Sequence, residues 1–198
     1  MSGIIGDNLG RSGGLVKGAA TPSAGMTLVH SHNVTSSVSI VTFDNVFTST
    51  YDLYRVYGYE IYHASDAQDG YLLFVDSSGS RVTAGSYERV YWYAGDTGTF
   101  SSSANASTSD TKLQINASIG EADASQSMSF VADIFNPQST SFEKMITCTS
   151  FTKGNGNIWL WKAGCTLGID GTAMRGLEYS GSAYCDGGKF RIYGITNS

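Results

Sequence analysis

The chain has 198 residues, 41% of them hydrophobic and 12% aromatic, enough for one all-β domain with a sizeable core. Charged residues make up only 15% of it and the formal net charge is −5, with no run of Lys or Arg. These features argue against a nucleic-acid partner and against an anionic membrane surface, both of which need clustered basic side chains, and no stretch is long and apolar enough to cross a bilayer as a helix.

Residues 1–25 come first and differ from everything after them. They are rich in Gly, Ala and Ser, hold no aromatic residue, and carry two isolated apolar pairs, Ile4 with Ile5 and Leu15 with Val16. Neither a period of 2 nor one of 3.6 runs through them. The expectation is an extended anchoring arm over residues 1–25, with Ile4, Ile5, Leu15 and Val16 as its binding contacts. A secretory signal is not expected, because a charged n-region and a 7–15-residue apolar core are both missing. Gly10-Arg11-Ser12-Gly13-Gly14 matches the spacing of a nucleophile elbow, yet that elbow needs a strand before it and a helix after it. Gly6 to Leu9 is no strand, so the reading is a flexible linker. Lys17 lacks the flanking Gly and Ser/Thr of a phosphate-binding loop.

From residue 26 onward the chain alternates as a β domain does, which makes 26–198 the second unit. His30 and His32, two apart, face one way on a strand. A zinc site needs three or four ligands, and only Asp44 offers itself, so a polar strand edge and no metal are expected. Strands are predicted over 34–43 and 51–62. In the second, Tyr51, Leu53, Arg55, Tyr57, Tyr59 and Ile61 share a face. Residues 66–70 resemble a fragment of a calcium loop but lack its alternating acids, and read as a hairpin turn. Further strands are predicted over 71–76, 87–93, 112–115, 128–135, 142–151, 158–161, 173–179 and 189–195, with residues 95–110 as a long loop that has room for one short strand. No helical stripe persists for three turns.

Trp159 and Trp161 are also two apart. If Ile158 and Leu160 face the core, the indoles form an exposed platform for a subunit interface or a glycan; in the opposite register both lie in the core. Tyr57 and Tyr59 are a second candidate aromatic surface of the same kind, and Trp92 between Tyr91 and Tyr93 poses the same question. Glu60, Glu88, Glu121, Glu143 and Glu178 are scattered, and no spacing singles out a glycosidase pair. No catalytic residue and no cofactor is assigned. Cys148, Cys165 and Cys185 are odd in number and lack a CxxC spacing, so three buried thiols made in a reducing cytoplasm are expected rather than a disulfide framework. The Asn-x-Ser/Thr sequences at Asn33, Asn105 and Asn116 are read as chance.

About ten strands, Gly/Asn/Asp turns and only two prolines point to an antiparallel β-sandwich, jelly-roll-like. The opening MSGIIGDNLGRSGGLVK resembles the N-terminus of many virion structural proteins of marine tailed bacteriophages, including those of cyanobacteria. Three further segments are similar to that group: the Tyr-rich run at residues 49–54, Asp133-Ile134-Phe135-Asn136-Pro137, and the stretch from Gly188 to Ile195. The resemblance implies a non-enzymatic, jelly-roll-like virion component assembled in a host cytoplasm, as a capsid decoration or cement protein or a head-fibre knob. It also implies partners among other virion proteins, reached through the arm, and a homo-oligomer, a trimer first. A tail fibre or receptor-binding domain touching host glycans is the alternative within the same group, and a carbohydrate-active enzyme the alternative from another class.

Overall fold

The computed structural model describes residues 25–65, 67–83, 87–96, 100, 101, 107–119, 126–154, 157–168 and 171–196. Twelve strands are described: β1 (Met26–Val34), β2 (Val38–Phe43), β3 (Leu53–His63), β4 (Gln68–Asp76), β5 (Tyr87–Gly95), β6 (Phe100–Ser101), β7 (Ser107–Asp110), β8 (Leu113–Ile119), β9 (Met128–Phe135), β10 (Lys144–Gly154), β11 (Asn157–Leu167) and β12 (Met174–Ile195). Every pairing between them is antiparallel, and no helix occurs among the described residues. The fold is an all-β, antiparallel, jelly-roll-like sandwich.

The 22-residue β12 holds the two layers together. Its second half lies between β1 and β3, and the larger layer continues from β3 through β9, β10 and β11 to β5, where short β6 and β7 attach. Its first half lies between β2 and β4, with β8 beyond β4. β8 packs against β10: Ser150 Oγ donates to the Ile115 carbonyl at 2.6 Å, and Asn116 Nδ2 donates to Ser150 Oγ at 3.0 Å. These two bonds satisfy the Ser150 hydroxyl and one N–H of the Asn116 amide inside the core.

Alternation decides which side chains fill the space between the layers. Met128, Phe130, Ala132 and Ile134 of β9 point inward, as do Ile146, Cys148 and Ser150 of β10 and Trp161, Ala163, Cys165 and Leu167 of β11. Phe130, Tyr179 and Phe190 stack or tilt against one another at 5.3 to 6.3 Å, the range in which aromatic pairs gain beyond their area. The main-chain N–H of Phe74 donates to the buried Tyr87 hydroxyl at 2.7 Å, tying β4 to β5.

Three departures from the predicted strands have local causes. The predicted strand at 34–43 is broken at residues 35–37, where the chain leaves the larger layer as β1 and enters the smaller as β2. The face expected to carry both Tyr59 and Ile61 is also split. Glu60 sits at φ 56°, the register with β9 shifts between Gly58 and Ile61, and Ile61 turns into the core while Tyr57 and Tyr59 stay outside. Finally, the strands expected separately at 173–179 and 189–195 are one strand, interrupted by register shifts rather than by a loop.

Candidate functional site: the outer face of the larger layer

The outward residues of β3, β9, β10, β11 and β5 fall into rows across the sheet. One row runs Tyr57, Val131, Thr149, Lys162, Trp92. The next runs Arg55, Asp133, Thr147, Gly164, Val90. On the opposite side of the first, Phe151 of β10 pairs with Leu160 of β11. This face carries most of the exposed large apolar side chains of the described residues: Val90, Val131, Met145, Phe151, Ile158 and Leu160. Exposed apolar residues scattered singly need no explanation, but a contiguous set on one sheet face marks a contact surface.

The face has two distinct parts. Around Phe151 lies an apolar hollow of about 280 Å³ bordered by Tyr57, Tyr59 and Val131. Over Gly164 lies an open slot of about 470 Å³ between Val90 and Trp92 on one side and Val131 on the other, with Thr147, Thr149, Lys162 and Asp133 around it. Gly164 has no side chain to fill the row, and a Cβ there would meet only the Ile146 carbonyl oxygen, at 3.5 Å.

Charges on and beside this face are mostly neutralised in place. Arg55 grips Asp133 with two hydrogen bonds, 2.6 and 2.8 Å, and Lys189 Nζ donates to Glu60 at 2.5 Å. The two-point contact with Asp133 raises the guanidinium pKa of Arg55 further. Lys162, in contrast, has no ionic partner among the described residues.

The structure separates the residues expected to form an aromatic surface. Trp159 and Trp161 do not form an exposed platform. The register is the opposite one: Ile158 and Leu160 are exposed, and Trp161 is 5% exposed, stacked on Tyr93 at 4.6 Å and tilted against Tyr91 at 5.2 Å. Trp159 is half-buried, edge-on to Tyr93 and lying over Gly95, whose missing side chain makes room for the indole. Burying two indoles against two tyrosines removes far more apolar surface from water than Ile158 and Leu160 would, and that difference sets the register. Tyr57 and Tyr59 do lie on the outer face. Tyr57 meets Tyr193 edge-on at 5.7 Å, and with Met26 and Arg191 they border a third open hollow of about 440 Å³. Ile4, Ile5, Leu15 and Val16 lie outside the described residues.

His30 and His32 both lean edge-on against Phe43. Asp44, the one carboxylate expected near them, is bound instead by Arg175 at 2.6 and 2.5 Å, which holds its carboxyl below the usual range. Among the described residues no three His, Cys, Asp or Glu side chains are placed to hold a metal ion. Cys148, Cys165 and Cys185 are buried free thiols, as expected from their number and spacing. Burial pushes Cys165 and Cys185 up to about 12 and Cys148 higher still, so none is a ready thiolate.

The slot over Gly164 was not expected from sequence. The available signal was a glycine inside the apolar run Trp159–Leu167, since an interior strand glycine weakens pairing and often marks close approach of a ligand. No known protein family matches the chain, and no curated protein does. Two solved structures are similar at a very low level. The catalytic domain of an endo-1,3-beta-glucanase (laminarinase) from Thermotoga petrophila is 9% identical, covers 88% of this chain and all of that one, and has a TM-score of 0.18. An endo-acting O-glycanase of the human gut microbiota is 7% identical, covers 90% of this chain and 94% of that one, and has a TM-score of 0.15. Similarity at this level carries no argument about fold or activity.

Proposed function

We propose that the chain is a non-enzymatic structural protein of a bacteriophage virion, a decoration or head-fibre knob on the capsid exterior. The observation that carries this reading is the exposed apolar patch of Phe151, Ile158, Leu160 and Val131 on an otherwise weakly charged sheet face. Such a contiguous patch on one sheet face fits lasting contact with a neighbouring protein surface. Two carboxylates beside this face, Asp133 and Glu60, are held by Arg55 and Lys189, whereas cleavage of a glycosidic bond needs a pair of carboxyl groups free to act as acid and base. The sequence resemblance to virion proteins supplies the setting, and residues 1–25 the attachment. Arms with a few small apolar contacts bind weakly one at a time, so several copies in a closed oligomer, a trimer first, gain by effective concentration.

Cryo-EM of the intact particle tests the proposal. The expected result is β-sandwich density on the capsid exterior that disappears when residues 1–20 are deleted, although the truncated body still folds. Absence of the chain from purified particles, or normal incorporation of the truncated chain, overturns it.

A further inference from the structure

The slot over Gly164 has a chemistry of its own, separate from the apolar patch beside it. One wall is the half-buried indole of Trp92 with Val90 next to it. The space exists because Gly164 leaves a gap in the middle of β11, and nothing in the protein moves in to fill it. Beneath and beside the gap stand the exposed hydroxyls of Thr147 and Thr149. Lys162, lateral neighbour of both Trp92 and Thr149, has no ionic partner among the described residues. Asp133, clamped by Arg55, presents a fixed acceptor at the far end.

We infer that this slot binds a carboxylated sugar, a hexuronic-acid unit of an acidic polysaccharide. Each part of such a ligand has a counterpart. A sugar ring lays its C–H face on the indole, its hydroxyls reach Thr147, Thr149 and Asp133, and its carboxylate reaches Lys162. The volume of about 470 Å³ falls within the range of small-ligand sites. An acidic peptide is the poorer occupant. The floor of the slot is β9, β10 and β11, each paired on both sides along its length, so that floor offers no open backbone edge to a peptide's own N–H and C=O groups. This inference stands apart from the virion role, since the slot is read on the isolated chain.

Calorimetric titration of the purified full chain with a galacturonic-acid oligosaccharide, a neutral galactose oligosaccharide of equal length and a poly-glutamate peptide tests it. The acidic oligosaccharide is expected to bind at least about tenfold more tightly than either of the others, and to weaken as salt is raised, as a pairing with one exposed cation does. Gly164→Val plugs the gap and Lys162→Gln removes the cation; each is expected to weaken binding roughly tenfold or more. Lys162 is exposed, so its variant keeps the test valid if Gly164→Val does not fold. Equal binding of the neutral sugar, equal binding of the peptide, no binding at millimolar concentration, or unaffected Lys162→Gln each overturns the inference. Particle incorporation is unaffected by any of these results.

Discussion

Acid is expected to unfold this protein through one histidine. His63 ends β3, pairs with Cys185 of β12, and is fully buried, its Nε2 sharing a 2.8 Å hydrogen bond with the Tyr179 hydroxyl. Burial holds its pKa at about 4 against 6.5 for the free side chain, although the nearby Asp186 carboxylate pulls the other way. The unfolded chain therefore takes up a proton below pH 6.5 while the folded one refuses it until about pH 4. Stability is full above pH 6.5 and falls between these limits. The gap of about two and a half pH units, at about 1.4 kcal/mol each, amounts to about 3 kcal/mol. His63→Gln keeps a hydrogen-bonding group opposite Tyr179 and removes the titration. Denaturant unfolding followed by tryptophan fluorescence, at steps from pH 7 to pH 4, is the assay. The wild type is expected to lose about 3 kcal/mol more than the variant over that interval. His30, itself lowered by partial burial and by His32, contributes equally to both proteins and cancels. Parallel pH profiles would refute the reasoning.

Three further outcomes are expected from the packing of the core and of the outer face. Alkylation of the native protein at pH 8 should leave Cys148, Cys165 and Cys185 unlabelled over a time in which the denatured protein reacts fully, as read by intact mass; rapid native labelling of all three would count against their burial. Trp161→Ala removes an indole sandwiched with Tyr91 and Tyr93 and should cost about 3–5 kcal/mol in denaturant unfolding, with a loss under about 1 kcal/mol placing the ring outside the core. Replacing Phe151 and Leu160 together by Thr should leave stability within roughly 1 kcal/mol, because both side chains are exposed, and should weaken the proposed self-association in light scattering at micromolar concentration. An unchanged oligomer would move the contact elsewhere.

Much of the architecture is legible in residue alternation. The strand predicted over 128–135 is β9 (Met128–Phe135), and its alternation puts Met128, Phe130, Ala132 and Ile134 on one buried face. The same rule fails wherever the period is broken by backbone geometry, which leaves no mark in the order of apolar residues. Glu60 at positive φ is such a break, and nothing about a glutamate announces it. The Trp159/Trp161 question was open for a different reason. Both faces of β11 are apolar, Ile158 and Leu160 on one and the indoles on the other, so alternation cannot choose between them. Tyr91 and Tyr93, on the neighbouring strand but some seventy positions earlier, make the choice by offering the indoles a stacking partner. The slot over Gly164 depends on four strands meeting in register, a property of topology rather than of any local stretch.

The length of β12 sets when this protein can fold. It hydrogen-bonds to β1, β2, β3 and β4, so both layers are built around a strand that follows all the others in the chain. During synthesis, at roughly 5–20 residues per second, β1 waits about ten seconds or more for its partner to leave the ribosome. Only the hairpin-like neighbours, such as β10 with β11, can pair as soon as they are made. Through that interval the apolar faces of β3 and β4 remain uncovered, and the nascent chain is at its most exposed to association with other unfinished chains. A lesion in β12 is therefore expected to appear first as a loss of soluble yield, before any change in the stability of the folded protein that is recovered.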